Sequence, residues 1–342
     1  MKASILLTGI LFIGQLINAK TINDMSGRVI HVPDNITRII PYDAKTSILL
    51  FPLASHEMVA KGILPGKKTY NFISDKYEKI PGIDMNNIEE VLTAKPQIII
   101  AGYHGKPIQT EKLHKLERRL NIPIVTIDLS INRLDQTYLF IGKLLNKTPK
   151  SISYSHFLHQ LYQDVDSLKR NSPKPNAKVY YTIGASGLLT DPSGSKHTEV
   201  LSYLGIPNVA QIDLPSGGHA KVNMEQVILW NPDYIFCAGF RGEQNAYTTI
   251  SKSKKWAHIK AVKEKQLYKI PGQPLGWFDH PPSINRIPGV IWMCQLFYGQ
   301  SAAITRAKII EFYELFYQYK LNKTEYELIF RPENTLEASN TN

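Results

Sequence analysis

Two kinds of apolar pattern alternate along the chain. Residues 97–101 (Gln-Ile-Ile-Ile-Ala) and 234–237 (Tyr-Ile-Phe-Cys) are short, continuous apolar runs. Runs of this kind mark strands covered on both faces, as in a parallel sheet. Residues 36–40, 124–127, 179–183 and 267–270 read as further strands. Between and after them, residues 48–59, 110–120, 136–145, 198–204, 283–297 and 302–319 read as helices. Strand–helix alternation predicts parallel, doubly wound sheets. Residues 21–32 alternate with a period of two and predict a hairpin turning at Ser26 and Gly27.

The longest helical pattern covers residues 149–169, with Ile152, Phe157, Leu161, Val165 and Leu168 at helical spacing; a Pro- and Asn-bearing stretch ends it. At 342 residues the chain is too long for one small core, since single cores stop growing at roughly 250–300 residues. The expected fold class is therefore α/β: two Rossmann-like lobes with central parallel sheets, residues 20–147 and 172–331, joined by a single long helix at 148–171.

An internal echo links the two halves. Asn87-x-Glu89-x-Val91 leads through Pro96 to Ile98 and Ile99. Asn223-x-Glu225-x-Val227 leads through Pro232 to Tyr234 and Ile235, 136 residues later. Each copy reads as a short helix opened by Asn, then a proline stop, then a buried strand. Asn is a good N-cap, and Glu in the first turn favours the helix dipole, which accounts for both glutamates locally. Their duplication adds an acidic residue at a matching place on each half.

The ends and the composition narrow the class. Residues 1–19 read as a cleaved secretory leader, with Lys2 as the positive start, an uncharged apolar run, and the small Ala19 before the cut. No Cys follows that run, so no lipid attachment site is expected, and Lys20 is the expected mature terminus. Residues 332–342 are polar and expected to be disordered. Cys237 and Cys294 sit in apolar surroundings and read as small buried hydrophobes, not a disulfide framework or a metal cluster. The net charge is +11, but the lysines are scattered. With an export leader, that argues for an anionic ligand or envelope surface rather than nucleic acid.

The chain resembles the periplasmic binding proteins for cobalamin, ferric siderophores, haem and related metal complexes. The resemblance covers nearly the whole mature chain. It rests on the repeated Asn-x-Glu-x-Val…Pro…Ile units, the long helix between two α/β halves, the run from Gly187 to Asp191 before a helix, and the ending Phe316-Tyr317…Leu321. It also rests on the run from Gly276 to Arg286, similar to a branch handling iron, nickel or molybdate species. Members of that branch often carry Arg where this chain has His280. The resemblance implies a rigid bridging helix, modest closure, a periplasmic and monomeric protein, and no intrinsic cofactor. It also implies a transported ligand that is a metal chelate (iron–siderophore, haem or nickel chelate) or, alternatively, molybdate, tungstate or cobalamin, and docking onto an ABC permease dimer through Glu89 and Glu225.

In parallel α/β lobes, ligands gather beyond the carboxyl ends of the strands. That rule selects Tyr42 and Asp43, Tyr103 and His104, Ser186 and Gly187, Arg241, and Trp277, Phe278 and Asp279. His104 is the expected metal contact, one imidazole added to a chelator's own ligands. Tyr42 and Tyr103 offer stacking or hydroxyl contacts. Trp277 and Phe278 offer an apolar wall. Arg241 and Arg286 offer bidentate contacts to carboxylate or oxyanion oxygens. His156 and His159 read as a solvated helix face, Asp191 as a turn former and His219 as a loop residue. No Gly-x-Ser-x-Gly elbow, His-Glu-x-x-His helix or phosphate-cradling glycine loop is present, so no enzyme motif competes with the binding reading.

Overall fold

The computed structural model describes residues 19–63, 70–103, 107–173, 175–213, 219–238 and 246–330, the side chains of Tyr103 and residues 107–110 excepted. Residues 1–18 of the expected leader, the tail, His104 and Arg241 lie outside the described residues. Among the described residues, no helix is long and apolar enough to cross a membrane.

Each expected apolar run is the middle strand of a three-stranded parallel sheet. Ile98–Tyr103 lies between Ile39–Pro41 and Ile124–Asp128. Tyr234–Cys237 lies between Val179–Thr182 and Leu267–Lys269. Central strands need apolar side chains on both faces, and Ile98, Ile99, Ile100, Ile235, Phe236 and Cys237 are all fully buried.

The sequence echo is also a structural one. Asn87 and Asn223 cap the helices Ile88–Thr93 and Met224–Trp230, their side chains accepting from the backbone N–H groups of Glu90 and Gln226. Lys95 and Asn231, each just before a proline, both take left-handed backbone with φ of 46° and 40°. Gln97 Oε1 then accepts from the N–H groups of Thr37 and Arg38, at 2.6 and 3.0 Å. Asp233 Oδ2 accepts from the N–H of Lys178 at 2.7 Å. In both halves the residue after the proline fastens the lead-in to the neighbouring strand.

Helix Thr148–Asn171 runs between the sheets and is held at each end by the same device. A helix leaves its last carbonyls without partners, and cations suit that end. The helix Ala44–Ala54 ends against the start of the bridge. There the Pro52 carbonyl accepts from Lys150 Nζ at 2.7 Å and from Tyr154 Oη at 2.9 Å, and the Leu53 carbonyl accepts from Lys147 Nζ at 3.1 Å. Near its other end, Lys169 Nζ donates to the Tyr203 carbonyl, at 3.1 Å, within the helix Glu199–Leu204.

One expected helix differs in its bounds, and two short strand pairs lie outside the expectations. The helix expected over residues 48–59 runs Ala44–Ala54, because Asp43 caps it by accepting from the Thr46 N–H. Past Ala54 the chain enters irregular backbone and then a two-residue strand, Lys61–Gly62, paired in parallel with Gly82–Ile83. A second two-residue pair, Leu189–Thr190 with Ala220–Lys221, is antiparallel. Such strands are too short to carry a period in the sequence.

Candidate functional site

The second short strand pair places the first elements of a site. Thr190 pairs with Ala220, so Asp191 and His219 are the next opposing positions, and His219 Nδ1 lies 2.9 Å from Asp191 Oδ2. Asp191 is fully buried. Its other oxygen accepts from Ser195 Oγ at 3.2 Å, and its carbonyl accepts from Asn208 Nδ2 at 3.0 Å. Ser195 also caps the single turn Lys196–Thr198, which presents His197.

The third imidazole arrives from the loop after Leu267–Lys269. That loop is locked in place. A Cβ on Gly276 would sit 2.4 Å from the Asp279 carbonyl oxygen, and a Cβ on Gly289 would sit 2.2 Å from that of Trp277. Only glycine permits those approaches. Asn285 Nδ2 donates to the Asp279 carbonyl at 3.3 Å. His280 follows in left-handed backbone, φ 60°, uncommon for a residue with a side chain.

Asp279 sits at the centre. Tyr181 donates to its Oδ2 at 2.7 Å, His197 Nδ1 lies 3.1 Å from the same oxygen, and His280 Nδ1 lies 2.5 Å from Oδ1. Burial alone would raise the Asp279 pKa. The adjoining His280 and His197 outweigh it and hold the carboxyl well below the usual carboxylate range. Burial and the nearby Asp279 drive the Tyr181 phenol far up, so it stays a donor. The ring centroids are 5.4 Å apart for His197 and His219, 5.9 Å for His197 and His280, and 6.3 Å for His219 and His280. Their side chains keep 16%, 32% and 17% of their surface exposed, so all three rings can be reached from solvent. Donor atoms of Asp191, His197 and Asp279 all lie within 4.8 Å of one another.

This cluster borders the seam between the two halves. Two residues beyond His197, Glu199 Oε1 accepts from the Ile131 N–H at 2.8 Å. Three residues beyond His280, Ser283 Oγ donates to the Lys45 carbonyl at 2.6 Å. Arg286, fully buried, donates to the Glu199 carboxylate, the Leu129 carbonyl and the Ser283 carbonyl. Lys45 and Leu129 lie just past the carboxyl ends of Ile39–Pro41 and Ile124–Asp128, where a ligand of the first half would gather.

Several expected contacts are placed elsewhere. Trp277 and Phe278 do not form a wall open to a ligand; both are fully buried. Trp277 Nε1 donates to Tyr313 Oη at 3.2 Å, and Phe278 stacks on Tyr181 with centroids 6.2 Å apart. The close approach at Gly289 presses their loop into the core. Arg286 is likewise committed to the seam rather than offered to an anion. Tyr42 is half-buried against the first sheet's outer cluster, with its N–H donating to Ile100. Ser186 is exposed and accepts from the Leu188 N–H, shaping a turn. Tyr103 ends the central strand opposite Asp128. Glu89 and Glu225 are exposed in the first turns of their helices. His156 and His159 are exposed on the bridging helix, and both cysteines are buried and free.

The histidine cluster was not assembled from the sequence. Asp191, His197, His219, Asp279 and His280 span ninety positions, and no fixed spacing unites them. The available signal was a concentration of His and Asp after the strands of the second half.

Comparison with known proteins gives a consistent picture. Residues 53–274 match the family model described as "Periplasmic binding protein". The molybdate-binding protein MolA of Haemophilus influenzae is 23% identical over 338 residues, covering 87% of this chain and 91% of its own. The vitamin B12-binding protein of Vibrio cholerae is 26% identical over 251 residues, covering 70% of this chain and 85% of its own. Among solved structures, an ABC transporter solute-binding protein from Sulfurospirillum deleyianum superposes with a TM-score of 0.80 at 27% identity, covering 91% of this chain and 98% of that one.

Proposed function

The chain belongs to the periplasmic binding protein family, and from that premise we propose that it is the capture component of an ABC importer for a metal complex. The ligand class is an iron–siderophore, haem or nickel chelate, held between the lobes 20–147 and 172–331 and handed to a membrane permease. The observation that carries this reading is the cluster of carboxylate-backed histidines bordering the seam between the two α/β halves. Imidazoles on that border suit a metal-bearing ligand. The work of the protein is capture and release, with no bond made or broken in the ligand. It acts as a monomer in the periplasm.

Delivery uses the repeated helices. Glu89 and Glu225 stand at equivalent first-turn positions, one on each half, and a permease dimer needs two contacts. Beside them the same helices expose apolar side chains at matching places, Leu92 and Ile228, with Leu229 exposed to 77%. Exposed ion pairs steer and orient a partner more than they add affinity, while the apolar residues supply area. Charge reversal at both glutamates is therefore expected to abolish uptake in cells and leave ligand affinity in solution within about twofold. Loss of ligand binding in the double variant would refute the placement of the permease face.

A second reading is capture of an oxyanion, favoured by the similarity to MolA over most of the chain. Native mass spectrometry with metal analysis, on protein taken from its own periplasm, separates the two. A transition metal with an organic mass supports the chelate, and molybdenum or tungsten with oxygen alone supports the oxyanion.

A further inference from the structure

We infer that His197, His219 and His280 bind a divalent transition-metal ion of borderline softness — nickel, cobalt or zinc — directly, through three imidazole nitrogens supplied by one half of the protein. The inference rests on the importer reading and gives its ligand a chemistry. The ion's remaining positions are left to water or a small chelator, so the protein, not the chelator, supplies the larger share of the bonds.

Geometry comes first. Three imidazoles around one tetrahedral ion, with metal–nitrogen bonds of about 2.1 Å, set their ring centroids roughly 5 Å apart. The three centroid distances here are 5.4, 5.9 and 6.3 Å. Closing the cluster onto an ion takes a contraction of about 0.4–1.3 Å between centroids and a turn of the rings toward one another, within reach of small rotamer changes.

Orientation comes second. His197 and His219 each hydrogen-bond a buried carboxylate through Nδ1, which directs Nε2 to the far side of the ring, and His280 Nδ1 lies 2.5 Å from Asp279 Oδ1. A ligating histidine is held in this way in carboxylate–histidine–metal triads, where the carboxylate fixes tautomer and direction. The carboxylates are taken up in that task. Both oxygens of Asp279 face Tyr181, His197 and His280, and both oxygens of Asp191 face Ser195 and His219. A hard ion such as calcium or magnesium needs several free oxygens, which these two residues do not offer. A thiolate-seeking ion finds no sulfur, since Cys237 and Cys294 are buried apart from the cluster.

Charge comes third. Two buried aspartates back the three imidazoles, and a cation suits a site with that carboxylate surround. An oxyanion would add negative charge beside them, and the nearby Arg286 is already committed to Glu199. Uncompensated buried charge is costly, so the cation is the better occupant.

The test uses the mature chain, stripped of metal, in a non-coordinating buffer without chelator. Titration with Co2+ is expected to saturate at one ion per chain, with the visible absorption of a low-symmetry nitrogen site. X-ray absorption on the Ni2+ or Zn2+ form is expected to show three imidazoles. Ni2+ should also raise the wild-type melting temperature, a reading that needs no variant. His197→Gln, His219→Gln and His280→Gln should each weaken Co2+ binding at least a hundredfold. Asp191→Asn, a positioning change behind His219, should weaken it about 10–100-fold while keeping the same absorption bands. Circular dichroism establishes that each variant is folded, and any that is not gives way to its Asn counterpart. Absence of saturable Co2+ binding by the wild type, fewer than two imidazoles in the absorption spectrum, or stoichiometric binding of molybdate that Co2+ cannot displace would each overturn the inference. The importer reading stands or falls separately, on the uptake defect of the Glu89 and Glu225 double variant.

Discussion

Asp24 shows how much one carboxylate can organise. It turns the N-terminal hairpin by accepting from the N–H groups of Ser26 and Arg28, both at 3.0 Å, and pins it to the first sheet through Thr126 Oγ1 at 2.7 Å. Arg28 completes the pairing at 2.8 Å. Burial works against the ionised form, but the Thr126, Ser26 and Arg28 contacts outweigh it and lower the pKa. A lowered folded pKa means stabilisation in full above the ordinary carboxylate value, lost as the pH falls below it through the folded value. Asp24→Ala is expected to cost about 3–5 kcal/mol at neutral pH, because it leaves Arg28 and Thr126 facing a buried gap. The difference from wild type should shrink as urea melts are repeated at lower pH; a difference constant down to the acid limit would contradict the assignment. Trp277 makes the complementary case. Read from sequence it could be wall or core, since an aromatic after a strand suits both, and only packing against Trp292, Phe330 and Tyr313 decides it. Trp277→Ala should therefore lower stability by about 3–5 kcal/mol and leave the affinity of the folded fraction for Co2+ within about threefold, as calorimetry below the melting temperature would establish.

Among the elements, those set by long patterns were legible and those set by tertiary pairing were not. The two central strands, their flanking strands and the bridging helix carry enough consecutive apolar positions to be read from the sequence. The two-residue pair Leu189–Thr190 and Ala220–Lys221 carries none, yet it brings Asp191 and His219 opposite each other. Much of the site was hidden for that reason. Its histidines converge through a short strand pair, a single helical turn and a loop fixed by glycine contacts, none of which has a period. The bridging helix was legible as a helix, but its end contacts were not. Lys150 and Tyr154 reach the Pro52 carbonyl, one of those left over where Ala44–Ala54 stops. Replacing both, Lys150→Ala with Tyr154→Phe, should cost about 1–3 kcal/mol in chemical denaturation, the range for removing partners from a buried acceptor. A smaller loss would mean that Gln318, also 3.1 Å from that carbonyl, satisfies it alone.

Across the whole molecule, the seam joins what the two halves hold apart. Arg286 reaches from the second half to the Leu129 carbonyl of the first, and Glu199 ties Arg286 to the N–H of Ile131. Removing a fully buried guanidinium strands its partners, so Arg286→Ala is expected to cost about 3–5 kcal/mol in urea unfolding. Unfolding should also separate into two transitions as the halves uncouple; one unshifted transition would show that the bridging helix alone carries the coupling. The histidine cluster lies wholly on one side of this seam, with each ring already set beside a buried carboxylate. A ligand arriving there has little left to set in order, and capture can run near ordinary encounter speeds, about 10⁵–10⁷ M⁻¹s⁻¹. Discrimination among competing cargoes then falls to dwell time. The slow event in the transport cycle becomes unloading, when the membrane partner must loosen a grip that the carboxylate-backed rings hold in place.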